Sequence, residues 1–190
     1  MAPLIKPGEG LLYMKIGSHA RETLEEIIAR KRKEIEDAGF ALWGYGGNTC
    51  HPVSMVQPFA RNYVRRGSVI YLCMHPMTSK HFALPVRATE FSVDGFKWER
   101  IPDAINVRGS RYALAIKNLR EEEFDLALGK TKVAIGSSMG RIGSQYIAGR
   151  VDKACLEVCA EGVTQPLNEP AVHIGLVAEI VEPFAVFVRD

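Results

Sequence analysis

The sequence predicts an α+β protein: a single globular domain over residues 1–190, with a mixed curved sheet or partial barrel and two or three main helices. Three observations carry this expectation. The 190 residues are 47% hydrophobic and 24% charged, enough to bury a core without disulfide or metal staples. The signatures run strand, helix, strand, broken helix, several strands, helix, strand, helix, two strands, too irregular for a doubly wound parallel sheet. No internal repeat, low-complexity segment or clear linker divides the chain, and GVTQPLNEPA, with two prolines in ten residues, is its best loop candidate.

Taken in order, SHARETLEEIIARKRKEIEDAGF reads as the first helix. Leu24, Ile27, Ile28, Lys31, Ile35 and Ala38 keep helical spacing, acidic residues crowd the start, and Gly39 stands where a helix stops. The basic run from Arg30 to Lys33 is offset by Glu34, Glu36 and Asp37 and reads as a solvated face, with phosphate contact as the alternative. FALWGY follows as a strand entering the core. HPVSMVQPFARNYVRRG reads as a short helix broken by Pro58, and SVIYLCM as a buried strand. FALPVRATEF and YALAIK are further strands, the first pushed to an edge or bulge by Pro85. A turn at Asp94-Gly95 falls in the segment between them. NLREEEFDLALG reads as a short helix, with Glu121, Glu122 and Glu123 at the positive end of its dipole. TKVAIG is a strand. QYIAGRVDKACLEVCAEG is a helix whose core stripe is Ile147, Val151, Ala154 and Val158. AVHIGLVAEI and PFAVFV are two strands separated by Pro183.

The formal net charge of +2 is too small to argue for nucleic acid as the partner, although it leaves that partner open. No apolar run reaches the roughly 18 residues of a membrane span, so no membrane is expected. The N-terminus MAPLIKPGEG lacks the pattern of a signal peptide, and the four cysteines, Cys50, Cys73, Cys155 and Cys159, form no CxxC pair. Reduced thiols and a cytoplasmic setting follow as the expectation. A metal set of Cys50, His51, Cys73, His75 and His81 matches no standard zinc spacing, and neither metal nor cofactor is expected.

Two segments concentrate chemistry. FALWGYGGNTCHP packs Trp43 and Tyr45 among Gly44, Gly46 and Gly47, then continues into Asn48, Thr49, Cys50 and His51. Trp43 and Tyr45 offer flat faces to a base, and Asn48 carries both donors and an acceptor for reading a base edge. His51 precedes a helix start, where amides favour an anion. The plainer reading is that both aromatics pack the core and the glycines make a tight turn. The second segment, VAIGSSMGRIGSQYIAGR, places Gly136, Ser138, Gly140, Arg141 and Ser144 between a strand and a helix, the recipe for a phosphate cradle. Its glycine spacing differs from a dinucleotide-binding loop, and it lacks the Gly-Lys-Ser/Thr of a P-loop. A flexible surface loop is the plainer reading here. Trp98, in FKWERIP, would add a lid or second stacking face, and Arg61, Arg65 and Arg66 a further anion patch.

The run GSVIYLCM, a downstream tryptophan and the mixed sheet are loosely similar to PUA-like domains, a resemblance that implies recognition of a nucleobase in an aromatic pocket. The leading expectation is a binding protein that captures a small nucleotide-type ligand without turnover, as a sensor, modified-base reader or sequestering sponge. The competing expectation is a hydrolase or transferase on the same ligand class, using Cys50 or His51 with a distant His75, His81 or His173. A third is an interaction module with no small ligand. A homo-oligomer is compatible with all three.

Overall fold

The computed structural model describes residues 3–46, 52–81, 83–147, 151–159 and 171–190, with the backbone alone at 79–81. It has the expected α+β character: among the described residues there are three helices and one large, mixed, unclosed sheet. Strand β1 (Gly10–His19) leads into helix α1 (Leu24–Ala38) and strand β2 (Ala41–Gly46). Helix α2 (Val53–Arg65) and strand β3 (Tyr71–His81) follow, then the short strands β4 (Glu90–Ser92) and β5 (Glu99–Arg100). The rest comprises β6 (Tyr112–Ala127), β7 (Thr131–Val133), helix α3 (Gly143–Ile147), β8 (Lys153–Val158) and β9 (Ala171–Arg189). The main path through the sheet is β2-β6-β9-β3-β1-β8-β7, with β4 and β5 attached beside β9. Among the described pairs only β1 and β3 run parallel.

Helix α1 begins where the sequence can cap it. The Thr23 hydroxyl accepts from the Glu26 amide, and the Glu26 carboxylate accepts from the Thr23 amide. It ends at Gly39, whose φ of 83° suits a residue without a β-carbon. α1 and α2 cover one face of the sheet, over Leu12, Trp43, Tyr45, Leu72, Leu114 and Ile180. The opposite face carries a second cluster around Tyr13, Cys73, Leu156 and Val177. The segment running from Ala88 to Val107 covers a third cluster on β2, β6 and β9.

Five local expectations are corrected. α2 is one continuous helix of 13 residues despite Pro58. Burial of Val53, Val56, Phe59, Ala60 and Tyr63 outweighs the roughly 3 kcal/mol that an interior proline costs. The acidic stretch after Lys117 is not a helix but the second half of β6. Pairing to β9 wins there, and because β2 pairs only with residues 112–116, this half has an edge on which Glu121 and Glu123 stand exposed. The expected helix after Ser144 is the five-residue α3 followed by strand β8, held between β1 and β7. The last two expected strands are a single one, β9, with residues 181–184 bulged out between its pairings to Ile116 and Leu114. FALPVRATEF, in turn, contributes only β4 and one isolated bridge at Arg87.

Candidate ligand cavity

A cavity of about 280 Å³ opens between β1, the end of β2, α1, the loop before β6 and the start of β8. Its wall includes Trp43, Gly44 and Gly46 of β2, Lys15 and His19 of β1, and Arg30 and Lys31 of α1. Val107, Arg108 and Ser110 close another side, and Asp152 and Lys153 a third.

The two glycines of β2 explain how polar groups reach this wall. A β-carbon on Gly44 would stand 2.5 Å from the Ser110 hydroxyl oxygen, and one on Gly46 would stand 2.6 Å from the Lys153 ammonium nitrogen. Both distances are shorter than carbon tolerates, so glycine admits Ser110 and Lys153 against the strand. Gly46 also has φ of 109°, a backbone region that favours glycine. The Lys153 ammonium lies 5.9 Å from the centre of the Tyr45 ring.

The loop wall is tied to α1 by a buried ion cluster. Glu34 and Lys31 are each 2% exposed. Lys31 Nζ donates to both Glu34 oxygens, at 3.2 and 3.0 Å, and to the Asn106 carbonyl at 2.8 Å. Glu34 Oε1 accepts from the Asn106 amide at 2.9 Å and from Arg30 at 3.0 Å. Arg30 also donates to the Asn106 carbonyl, and grips Glu22 through two bonds of 3.0 and 2.6 Å. Burial pushes the Lys31 ammonium down to about 8, against the pull of Glu34. Burial alone would raise the Glu22 carboxyl. The hydrogen bond and charge of Arg30, with Arg108 and Lys31, hold it below its usual value instead.

Of the expected site residues, Trp43 reaches this cavity while packed in the core at 4% exposure. Tyr45 lies behind it at 1% exposure. Trp98 stands apart, half-buried in a second, more open groove with Leu84 and Phe187, where the Arg189 guanidinium covers its ring at 3.8 Å. The loop with Gly136, Ser138, Gly140, Arg141 and Ser144 borders neither hollow. It folds back on β7 instead: the amides of Met139, Gly140 and Arg141 donate to Gly136, Val133 and Ser138, within the loop or to the strand before it. Arg61 pairs with Glu182 at 3.7 Å, and Arg66 lies over Tyr63. Asn48, Cys50 and His51 lie outside the described residues. Among the described residues no three His, Cys, Asp or Glu side chains converge as a metal site, and no helix is long and apolar enough to cross a membrane.

Sequence reasoning missed Lys15, Arg108, Ser110 and Lys153, and set Arg30 and Lys31 on a solvated face. One signal was present: Lys31 sits in the apolar stripe of α1, where a charge needs a buried partner, and Glu34 three residues on supplies it. The protein was compared with known families, curated proteins and solved structures. It matches no family model, no curated protein and no solved structure.

Proposed function

We propose that this protein captures a small nucleotide-type ligand in the cavity beside Trp43 and releases it unchanged. The observation that carries the reading is the pairing of one aromatic wall, Trp43, with a wall of cations on a single concave surface. A flat ring and an anionic substituent would each find a complement there. Capture without turnover is supported by how the lining groups are engaged. All three N–H bonds of Lys31 are directed at Glu34 and Asn106, and Asp152, the one lining carboxylate among the described residues, pairs with Lys15 at 3.7 Å.

The chain has two tryptophans, so a Trp98→Phe variant leaves Trp43 as its sole indole. Titrating that variant with a panel of nucleotides should quench Trp43 fluorescence saturably for at least one of them. Chromatography of the mixture should return that nucleotide intact. Absence of any saturable change across the panel would end the reading. A new product would favour the hydrolase or transferase reading, which keeps one observation of its own: Gly46, four residues before Cys50, is on the cavity wall.

A further inference from the structure

The charges around the cavity do not balance. Lys15, Arg30, Lys31, Arg108 and Lys153 line it, and Asp152 is the lining carboxylate. Glu22 and Glu34 neutralise from behind. Five cations therefore face three carboxylates, a surplus of two positive charges among the described residues. The pairing also says which two. Glu22 is gripped by Arg30 at 2.6 Å, Glu34 by Lys31 at 3.0 Å, and Asp152 lies 3.7 Å from Lys15. Arg108 reaches only the already engaged Glu22, at 3.9 Å, and holds its place through a 3.1 Å bond to the Asn106 side chain. Lys153 has no carboxylate within ion-pair distance among the described residues, and its ammonium stands beside the Tyr45 ring. Two cations without a matched anion, converging on one concave surface, are a poor arrangement for stability alone.

We infer that the ligand of this cavity carries a single phosphate monoester, held between Lys153 and Arg108. This rests on the proposed capture of a nucleotide-type ligand and identifies its charged end. A phosphate monoester carries close to two negative charges at neutral pH, with its second ionisation near pH 6. That matches the surplus, whereas a carboxylate would leave one charge over and a triphosphate would bring an excess. The volume of about 280 Å³ lies at the small end for ligand pockets, which suits one ring system and one phosphate rather than a dinucleotide. Ser110, brought to the wall by Gly44, adds a hydroxyl donor. The phosphate contact thereby falls on Arg108 and Lys153, outside the glycine-serine loop around Arg141.

The test is calorimetry at pH 7.5 with adenosine, guanosine, cytidine and uridine, their 5′-monophosphates and their 5′-triphosphates. It is run on the wild type, Lys153→Gln and Arg108→Gln, with circular dichroism to establish that each variant is folded. At least one monophosphate should bind at least about tenfold more tightly than its nucleoside, and no more weakly than its triphosphate. That preference should shrink severalfold in each variant while nucleoside affinity stays the same. Should one variant fail to fold, the other carries the comparison, and the salt dependence of wild-type monophosphate binding supplies a second reading. Equal binding of nucleoside and monophosphate would overturn the phosphate assignment and leave the cavity reading standing. A preference unchanged in the folded variants would move the phosphate elsewhere and overturn it as well. A triphosphate tenfold tighter than the monophosphate would overturn the single-phosphate assignment. No binding by any of the twelve compounds would remove both readings together.

Discussion

Gly46 and Lys153 occupy one space: the ammonium nitrogen lies 2.6 Å from where a β-carbon on Gly46 would be. The glycine is therefore tied both to its own backbone, at φ of 109°, and to a side chain from the far strand β8. Gly46→Ala should destabilise the protein by roughly 1–3 kcal/mol, chiefly through the strained backbone, because the tip of a lysine can swing aside. Urea unfolding of Gly46→Ala with and without Lys153→Ala separates the two effects. Removing the lysine should recover less than half of the loss. Full recovery would mean that crowding, not φ, sets the cost.

Glu34 is the anion on which the buried cluster depends, since Lys31, Arg30 and the Asn106 amide all converge on it. Glu34→Ala should cost about 3–5 kcal/mol, because it strands a buried ammonium. The double variant Lys31→Met/Glu34→Leu should recover part of that, since it removes the stranded ammonium but still leaves the Asn106 amide without the Glu34 oxygen. Chemical denaturation of the two single variants and the double one measures the coupling. An additive result would remove the cluster as a unit.

Glu22 gives the cluster a pH dependence. Its carboxyl ionises below its ordinary value of 4.5 in the folded protein. Its contribution to stability is thus present above about pH 4.5 and is lost as pH falls through the lower folded value. Thermal melts between pH 7 and pH 3 should show the wild type losing its advantage over Glu22→Gln across that acidic window. Parallel curves would place the acid sensitivity elsewhere.

Cys73 is fully buried, and desolvation pushes its thiol well above the usual range. A buried, protonated thiol is a poor nucleophile. In a variant with the other three cysteines replaced by serine or alanine, labelling of Cys73 by a maleimide should proceed at the rate of opening of the fold and accelerate with urea. Fast labelling of the folded protein would mean that the sheet around β3 opens locally.

The parts of the fold that were legible in the sequence are those governed by local chemistry. Thr23, Glu26 and Gly39 mark the ends of α1 because capping needs only neighbours. Trp43 was singled out for its glycine-rich surroundings, and Gly44 and Gly46 do border the cavity. Two of the misreadings share one cause. The stretches 118–127 and 153–158 read as helical in isolation, yet each is held in a ladder by a strand distant in sequence. The cation wall was illegible for the same reason. Lys15, Arg108 and Lys153 come from three separate elements and meet only when the sheet is assembled.

That assembly has an order imposed by synthesis. β9 lies between β6 and β3 in the sheet, yet it follows every strand it joins in the chain. Until residues 171–189 emerge from the ribosome, β6 with β2 and β3 with β1 are separate half-sheets, each presenting a row of unsatisfied amides and carbonyls. Closing them requires contacts that span most of the sequence, which places folding of this protein on the slow side for its size. A nascent chain of this protein is therefore adhesive until β9 arrives to join the two half-sheets.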